Sequence, residues 1–161
     1  HGRLGNLELQ RDLQERALAI IEREYGPCHH EVAVTLTNLG NAYGRLGDVA
    51  RQRDLQERAL KINERVYGPD HHDVAIILAN LGNAYGDLGD LAKQRQLLER
   101  ALEIDEREYG PDHREVAFTL TSLGNVYGHL GNLEGQRDLQ ERALDIIERE
   151  YGPQHRDVAV T

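Results

Sequence analysis

Tyr-Gly-Pro stands at Tyr25, Tyr67, Tyr109 and Tyr151, and the residues between successive copies are nearly the same, so the chain repeats one 42-residue unit. A repeat of that length is one supersecondary unit, and it folds as a stack in which each copy covers its apolar face with its neighbours. The fold class this dictates is all-α, an α-solenoid of antiparallel helical hairpins. Stacks of this kind present long surfaces suited to holding another molecule rather than transforming one.

Every unit contains two apolar stripes at helical spacing. The first helix, A, carries Val32, Ala33, Leu36, Leu39, Gly40 and Tyr43, and the pattern returns from Val74 to Tyr85 and from Val116 to Tyr127. The second, B, carries Leu55, Ala59 and Ile62, returning as Leu97, Ala101 and Ile104 and as Leu139, Ala143 and Ile146. Its other side is densely charged, and pairs such as Asp54 with Arg58 and Glu57 with Lys61 fall at i, i+4 and read as a solvated face.

Two different signals separate the helices. Leu46-Gly47-Asp48 joins a glycine able to end helix A in the left-handed conformation to an acid able to cap helix B, and Gly5-Asn6, Gly89-Asp90 and Gly131-Asn132 keep that chemistry. Gly68-Pro69-Asp70 stops helix B, and Asp70 followed by Asp73 has the spacing of a capping box. The spacing predicts helix B over 6–24, A and B pairs over 29–66, 71–108 and 113–150, and a further A helix from 155. The chain therefore reads as a single array over 1–161, with a partial unit (helix B only) at 1–24, complete units at 25–66, 67–108 and 109–150, and the start of another at 151–161. Both ends then leave apolar surface that a further unit would cover, the mark of a piece of a longer array or of end-to-end stacking.

Leu39-Gly40-Asn41-Ala42-Tyr43, the turn glycine Gly47 and the pair Ala59-Leu60 together resemble the tetratricopeptide repeat. The 42-residue unit, with Gly-Pro-Asp-His leading into Asp-Val-Ala over 68–75, is similar to the kinesin-light-chain variety. The resemblance implies a right-handed superhelix whose concave wall is lined by helix A and whose work is protein–protein interaction. Two features depart from the family pattern. Gln10, Gln52, Gln94 and Gln136 stand where the family prefers a small residue, followed at the next large position by Gln14, Gln56, Leu98 and Gln140. An unpaired buried amide costs about 1–3 kcal/mol, so these side chains are expected to tie hairpins together. A second glycine also follows the first at Gly44, Gly86 and Gly128. Each helical glycine costs about 1 kcal/mol relative to alanine, which close backbone packing or room for a guest chain would offset.

Composition narrows the function. A net charge of -9 without a Lys/Arg cluster argues against a nucleic-acid partner, which needs a basic stripe to displace counterions. The longest aliphatic run, Val74 to Leu78, falls far short of the roughly 20 residues that span a bilayer, so no membrane partner is expected and a cytoplasmic location is favoured. Cys28 is the sole cysteine, which excludes an internal disulfide, and Asp70, Asp112 and Gln154 at the matching positions mark it as a surface substitution. His29, His71, His113 and His155 recur once per unit, about 10 Å apart by helix packing, so one ion cannot bridge them. Capping at the start of helix A is their expected role, and no metal, cofactor or catalytic residue is expected.

Carried over residue by residue, the resemblance places Val34, Thr37, Asn38, Asn41 and Arg45 on the concave wall, then Ile76, Ala79, Asn80, Asn83 and Asp87, then Phe118, Thr121, Ser122, Asn125 and His129. The candidate peptide-binding set is Asn38, Asn41, Arg45, Asn80, Asn83, Asp87, Phe118, Ser122, Asn125 and His129. Asn41, Asn83 and Asn125 form an unbroken series, and an amide that both donates and accepts suits gripping an extended peptide backbone. The same asparagines can equally fix the stacking. The expected partner is a protein or peptide. The rival readings are a spacer or self-assembling rod and a sensor array fused to an effector such as an NTPase.

Overall fold

The computed structural model describes residues 2–152, which form seven helices and no strand. They are α1 (Gly2–Tyr25), α2 (His30–Arg45), α3 (Val49–Tyr67), α4 (His72–Asp87), α5 (Leu91–Tyr109), α6 (Arg114–His129) and α7 (Leu133–Tyr151). The hairpins α2/α3, α4/α5 and α6/α7 stack in single file, because each B helix also packs against the A helix that follows it. The all-α solenoid read from the period is therefore the fold. The A helix expected from 155 lies outside the described residues.

Each A-to-B turn closes in the same way. Gly47 adopts φ +86°, its N–H donates to the Gly44 carbonyl (3.0 Å), and the Asp48 N–H reaches back to the Tyr43 carbonyl (2.9 Å). This double closure satisfies two of the carbonyls a helix end leaves free. The Asp48 carboxylate then accepts the Arg51 N–H (3.1 Å), and Asp90 and Asn132 cap α5 and α7 through Lys93 and Gly135. Gly5 departs from this expectation. It lies inside α1 and is not among the left-handed glycines.

The B-to-A joint also differs from the expected capping box. Gly26, Gly68 and Gly110 end the B helices at positive φ, and the caps of α2, α4 and α6 are not the aspartates but His29, His71 and His113, in the capping role expected of these histidines. The His71 Nδ1 accepts the Asp73 N–H (3.2 Å), which leaves Asp70 free to pair with Arg107 of the next hairpin (2.7 Å). Asp112 pairs likewise with Arg149 (3.4 Å), while Cys28, exposed at the matching place, meets Arg65 only through sulfur (3.9 Å).

The core is shared along the file. Val74, Ala75, Leu78 and Leu81 of α4 pack on Leu97, Ala101 and Ile104 of α5, with Leu60 of the preceding hairpin beside them. Equivalent clusters form around Leu36 and Leu120. Polar contacts reinforce each junction. The hydroxyls of Tyr43, Tyr85 and Tyr127 donate to Glu15, Glu57 (2.6 Å) and Glu99 (3.3 Å) one hairpin back. Arg58, Arg100 and Arg142 pair with Glu22, Glu64 (2.7 Å) and Glu106 (2.5 Å). Part of helix B's charge pattern is thus inter-hairpin wiring, while Arg95 with Glu99 and Arg137 with Glu141 (both 3.7 Å) form exposed i, i+4 pairs of the kind its spacing predicts. Among the described residues, no helix is long and apolar enough to cross a membrane.

Candidate functional site

The A helices carry one exposed stripe each. Steps of four, three and four residues align Val34, Asn38, Asn41 and Arg45 on α2, Ile76, Asn80, Asn83 and Asp87 on α4, and Phe118, Ser122, Asn125 and His129 on α6. Val34, Ile76 and Phe118 are 51%, 53% and 52% exposed, an apolar row that repeats at every hairpin. Two grooves open between these stripes. One, of about 120 Å³, lies between α2 and α4 and is lined by Val34, Asn38, Ile76 and Asn63. The other, of about 190 Å³, lies between α4 and α6 and is lined by Ile76, Asn80, Phe118, Ser122 and Asp105. Both are well below the few hundred Å³ a small-molecule site needs, and match single side chains.

Of the predicted residues, the structure gathers Asn38, Asn80, Phe118 and Ser122 around these grooves. Arg45, Asn83, Asp87, Asn125 and His129 are exposed on the same stripes but line neither groove. Asn41 is half-buried, and its Oδ1 accepts from Gln56 Nε2 (2.9 Å), so this asparagine joins helix A to helix B of its own hairpin. Gln56 also donates to the Thr37 carbonyl (3.4 Å) while its Oε1 has no partner. The glutamine therefore ties the two helices within a hairpin, where the sequence pointed to ties between hairpins.

Asn63 and Asp105 form the groove floors and are absent from the predicted set. They are 5% and 8% exposed, and their counterparts in the outer B helices are Ile21 and Ile147. Laying the units side by side would have shown two polar residues at a position otherwise isoleucine. Thr119 Oγ1 donates to Asp105 (2.8 Å), and no partner reaches Asn63 Oδ1. Burial pushes the Asp105 carboxyl above its ordinary value, the Thr119 hydrogen bond opposes that, and Glu115 adds to it.

The folded state holds this proton more tightly than the unfolded chain, so stability falls as pH rises from 3.8 through the raised folded value and is flat above it. Asp105→Asn, an amide of the kind Asn63 already places at this depth, is expected to raise Tm at pH 7. The gain should vanish below pH 3.8, as followed by thermal melts across pH. A melting difference that did not depend on pH would overturn the assignment.

Two other constellations are accounted for without a ligand. Between successive B helices lie larger grooves of about 330 and 550 Å³, but Glu15, Glu22, Glu57 and Glu64 on their rims already hold Tyr43, Arg58, Tyr85 and Arg100. The His71, His72 and Asp73 ligand atoms lie within 4.8 Å of one another, and the two rings are 4.3 Å apart. His71 spends its Nδ1 on the α4 cap and stacks on Tyr67 (4.5 Å), as His29 and His113 do on Tyr25 and Tyr109.

Solved structures of similar fold include BtubC (BKLC) from P. vanneervenii, with TM-score 0.85 and 26% identity over 92% of this chain and 59% of that one. A kinesin-light-chain protein of nearly identical TPR-like repeats from Podosopora anserina gives 0.83 at 20% identity, over 97% and 74%. Apo RapI gives 0.76 at 23% identity, over 90% and 51%. The chain thus spans well under two thirds of the BtubC and RapI lengths. No curated protein matches the sequence. Tetratricopeptide repeat profiles match residues 1–51, 53–106 and 87–135, and a second set matches 32–73 and 116–157. With the hairpins, the Leu-Gly and Tyr positions of helix A and the Ala-Leu pair of helix B all in place, the chain belongs to the tetratricopeptide repeat family, whose arrays are generally non-catalytic scaffolds for protein–protein interaction.

Proposed function

We propose that the array holds an extended peptide segment of a partner protein along the stripes of α2, α4 and α6. The observation that carries this reading is the apolar row Val34, Ile76 and Phe118, half-exposed on three successive helices, with Asn83 and Asn125 standing free beside it. An extended chain crossing the A helices would seat apolar side chains on that row and satisfy its backbone through the amides. Peptides selected from a random dodecapeptide display library are expected to lose at least 10-fold in affinity with Ile76→Glu and a smaller factor with Asn83→Ala. Lys61→Glu, on the B-helix side, should leave their binding unchanged. Failure to select any binder, or binders indifferent to Ile76→Glu, would refute the reading.

A second reading, stacking between copies, is favoured by one observation. On α1, Leu9 and Leu13 are 58% and 56% exposed beside a groove of about 500 Å³. Gln14 Oε1 there is buried without a partner. Counterparts of Leu13 and Gln14 in complete units, Leu55 and Gln56, are covered by helix A. Sedimentation over a range of concentrations decides between a monomeric scaffold and a rod.

A further inference from the structure

The geometry points to a cation pocket on this face: the groove between α4 and α6 takes a lysine or arginine side chain of the bound peptide against Asp105, with an apolar neighbour of that residue seated on Ile76 and Phe118. The inference rests on the peptide-scaffold reading above and names the partner's chemistry.

The groove floors are acceptors with one protein donor in one case and none in the other. Asp105 is 8% exposed, and its side chain has one hydrogen-bond donor among the described residues, Thr119 Oγ1 at 2.8 Å. That hydroxyl also lies 3.3 Å from the Glu115 carbonyl, and one hydrogen cannot fully serve both. A carboxylate has room for about four donors, so protein groups fill only part of its acceptor capacity and the rest is open to solvent or a guest. In the next groove the Asn63 Oδ1, on a side chain 5% exposed, has no partner at all. The partnerless Asn63 oxygen is costly to bury, and a guest bearing several N–H donors on a charged head can serve both floors.

Shape and surroundings favour a long basic side chain over other donors. A groove of about 190 Å³ admits one such chain, whose apolar stem can lie along Ile76 and Phe118 while its head reaches the floor. The Phe118 ring already faces a cation, since the Arg114 guanidinium sits 5.8 Å from its centroid. Arg114 pairs with Glu115 (3.6 Å), and Asp105 makes no ion pair among the described residues, with His113 and His72 the positive groups that act on it from a distance. The net charge of -9 attracts basic segments as well. Neighbouring A helices lie roughly 10 Å apart, about three residues of extended chain, so a second donor side chain three residues along would reach Asn63.

The test uses the library-selected peptides. They are expected to be enriched in Lys or Arg, with a second donor residue three positions away. Asp105→Asn should weaken a selected basic peptide at least 10-fold. The same peptide with its lysine changed to glutamine should bind wild type and Asp105→Asn equally well. Because Asp105→Asn is expected to stabilise the fold at pH 7, loss of binding cannot be assigned to unfolding, and an unchanged far-UV spectrum confirms it. If binders respond to Ile76→Glu but show no basic enrichment, or ignore Asp105→Asn, the cation pocket is wrong and the scaffold reading stands. If no peptide is selected, both fall.

Discussion

Leu78→Ala is expected to lower the unfolding free energy by about 3–4 kcal/mol in urea titrations followed by circular dichroism. Leu78 is fully buried at the centre of the file. It touches both helices of its hairpin through Val74, Leu81, Leu97 and Ile104, and Leu60 of the preceding hairpin packs on the same cluster. Removing its side chain leaves a cavity among groups held by two interfaces, so little relaxation can close it. Most single domains are stable by only about 5–15 kcal/mol, so such a loss is a large fraction of the whole. In a stack where units touch only their neighbours, the centre also couples the two ends. The variant should therefore show a broader transition as well as an earlier one. A loss below about 1 kcal/mol would mean that this hairpin is not packed as described.

The fold was legible in the sequence because the same punctuation is written out repeatedly. Gly47, Gly89 and Gly131 each pair with a capping Asp or Asn, and all three turns close as those residue types require. What eluded the sequence depended on which neighbour a side chain meets. Asp54 and Arg58 sit at helical i, i+4 spacing, yet Arg58 goes to Glu22 because the previous B helix is as near as the next turn. Asp70 has a capping spacing, yet the cap goes to His71 alone, the other candidate the sequence offered, and Asp70 faces Arg107. The candidate stripe was legible as a face, since Val34, Ile76 and Phe118 are exposed as helical phase demands. Its floor was hidden, because Asn63 and Asp105 come from B helices and enter the grooves only through tertiary packing.

The two departures from the family pattern turn out to be one. A Cβ placed on Gly86 would lie 2.5 Å from Gln94 Cδ and 2.6 Å from its Nε2, and one on Gly44 or Gly128 would meet Gln52 or Gln136 as closely. Glycine on helix A thus makes the space that glutamine on helix B fills, the reverse of a small residue on B receiving a large one on A. The room is used inside the hairpin and is not left for a guest chain. Gly86→Leu is accordingly expected to cost about 2 kcal/mol, because the added side chain and Gln94 claim one volume and the gain in helix propensity offsets only part of the strain. Gln94→Ala alone should cost about 1 kcal/mol through the space it vacates. Combined, the two should be less destabilising than their sum by about 1–2 kcal/mol, since the leucine then occupies what the glutamine left. Additive effects would show that the two positions do not share that volume. Binding supplies the second arm: if the glycine were reserved for a guest, Gly86→Leu/Gln94→Ala would abolish capture of the selected peptides. A hairpin restored by the size exchange should bind them within about 2-fold of wild type, because Ile76, Asn80 and Asp105 keep their places and position 86 faces Gln94, away from the stripe.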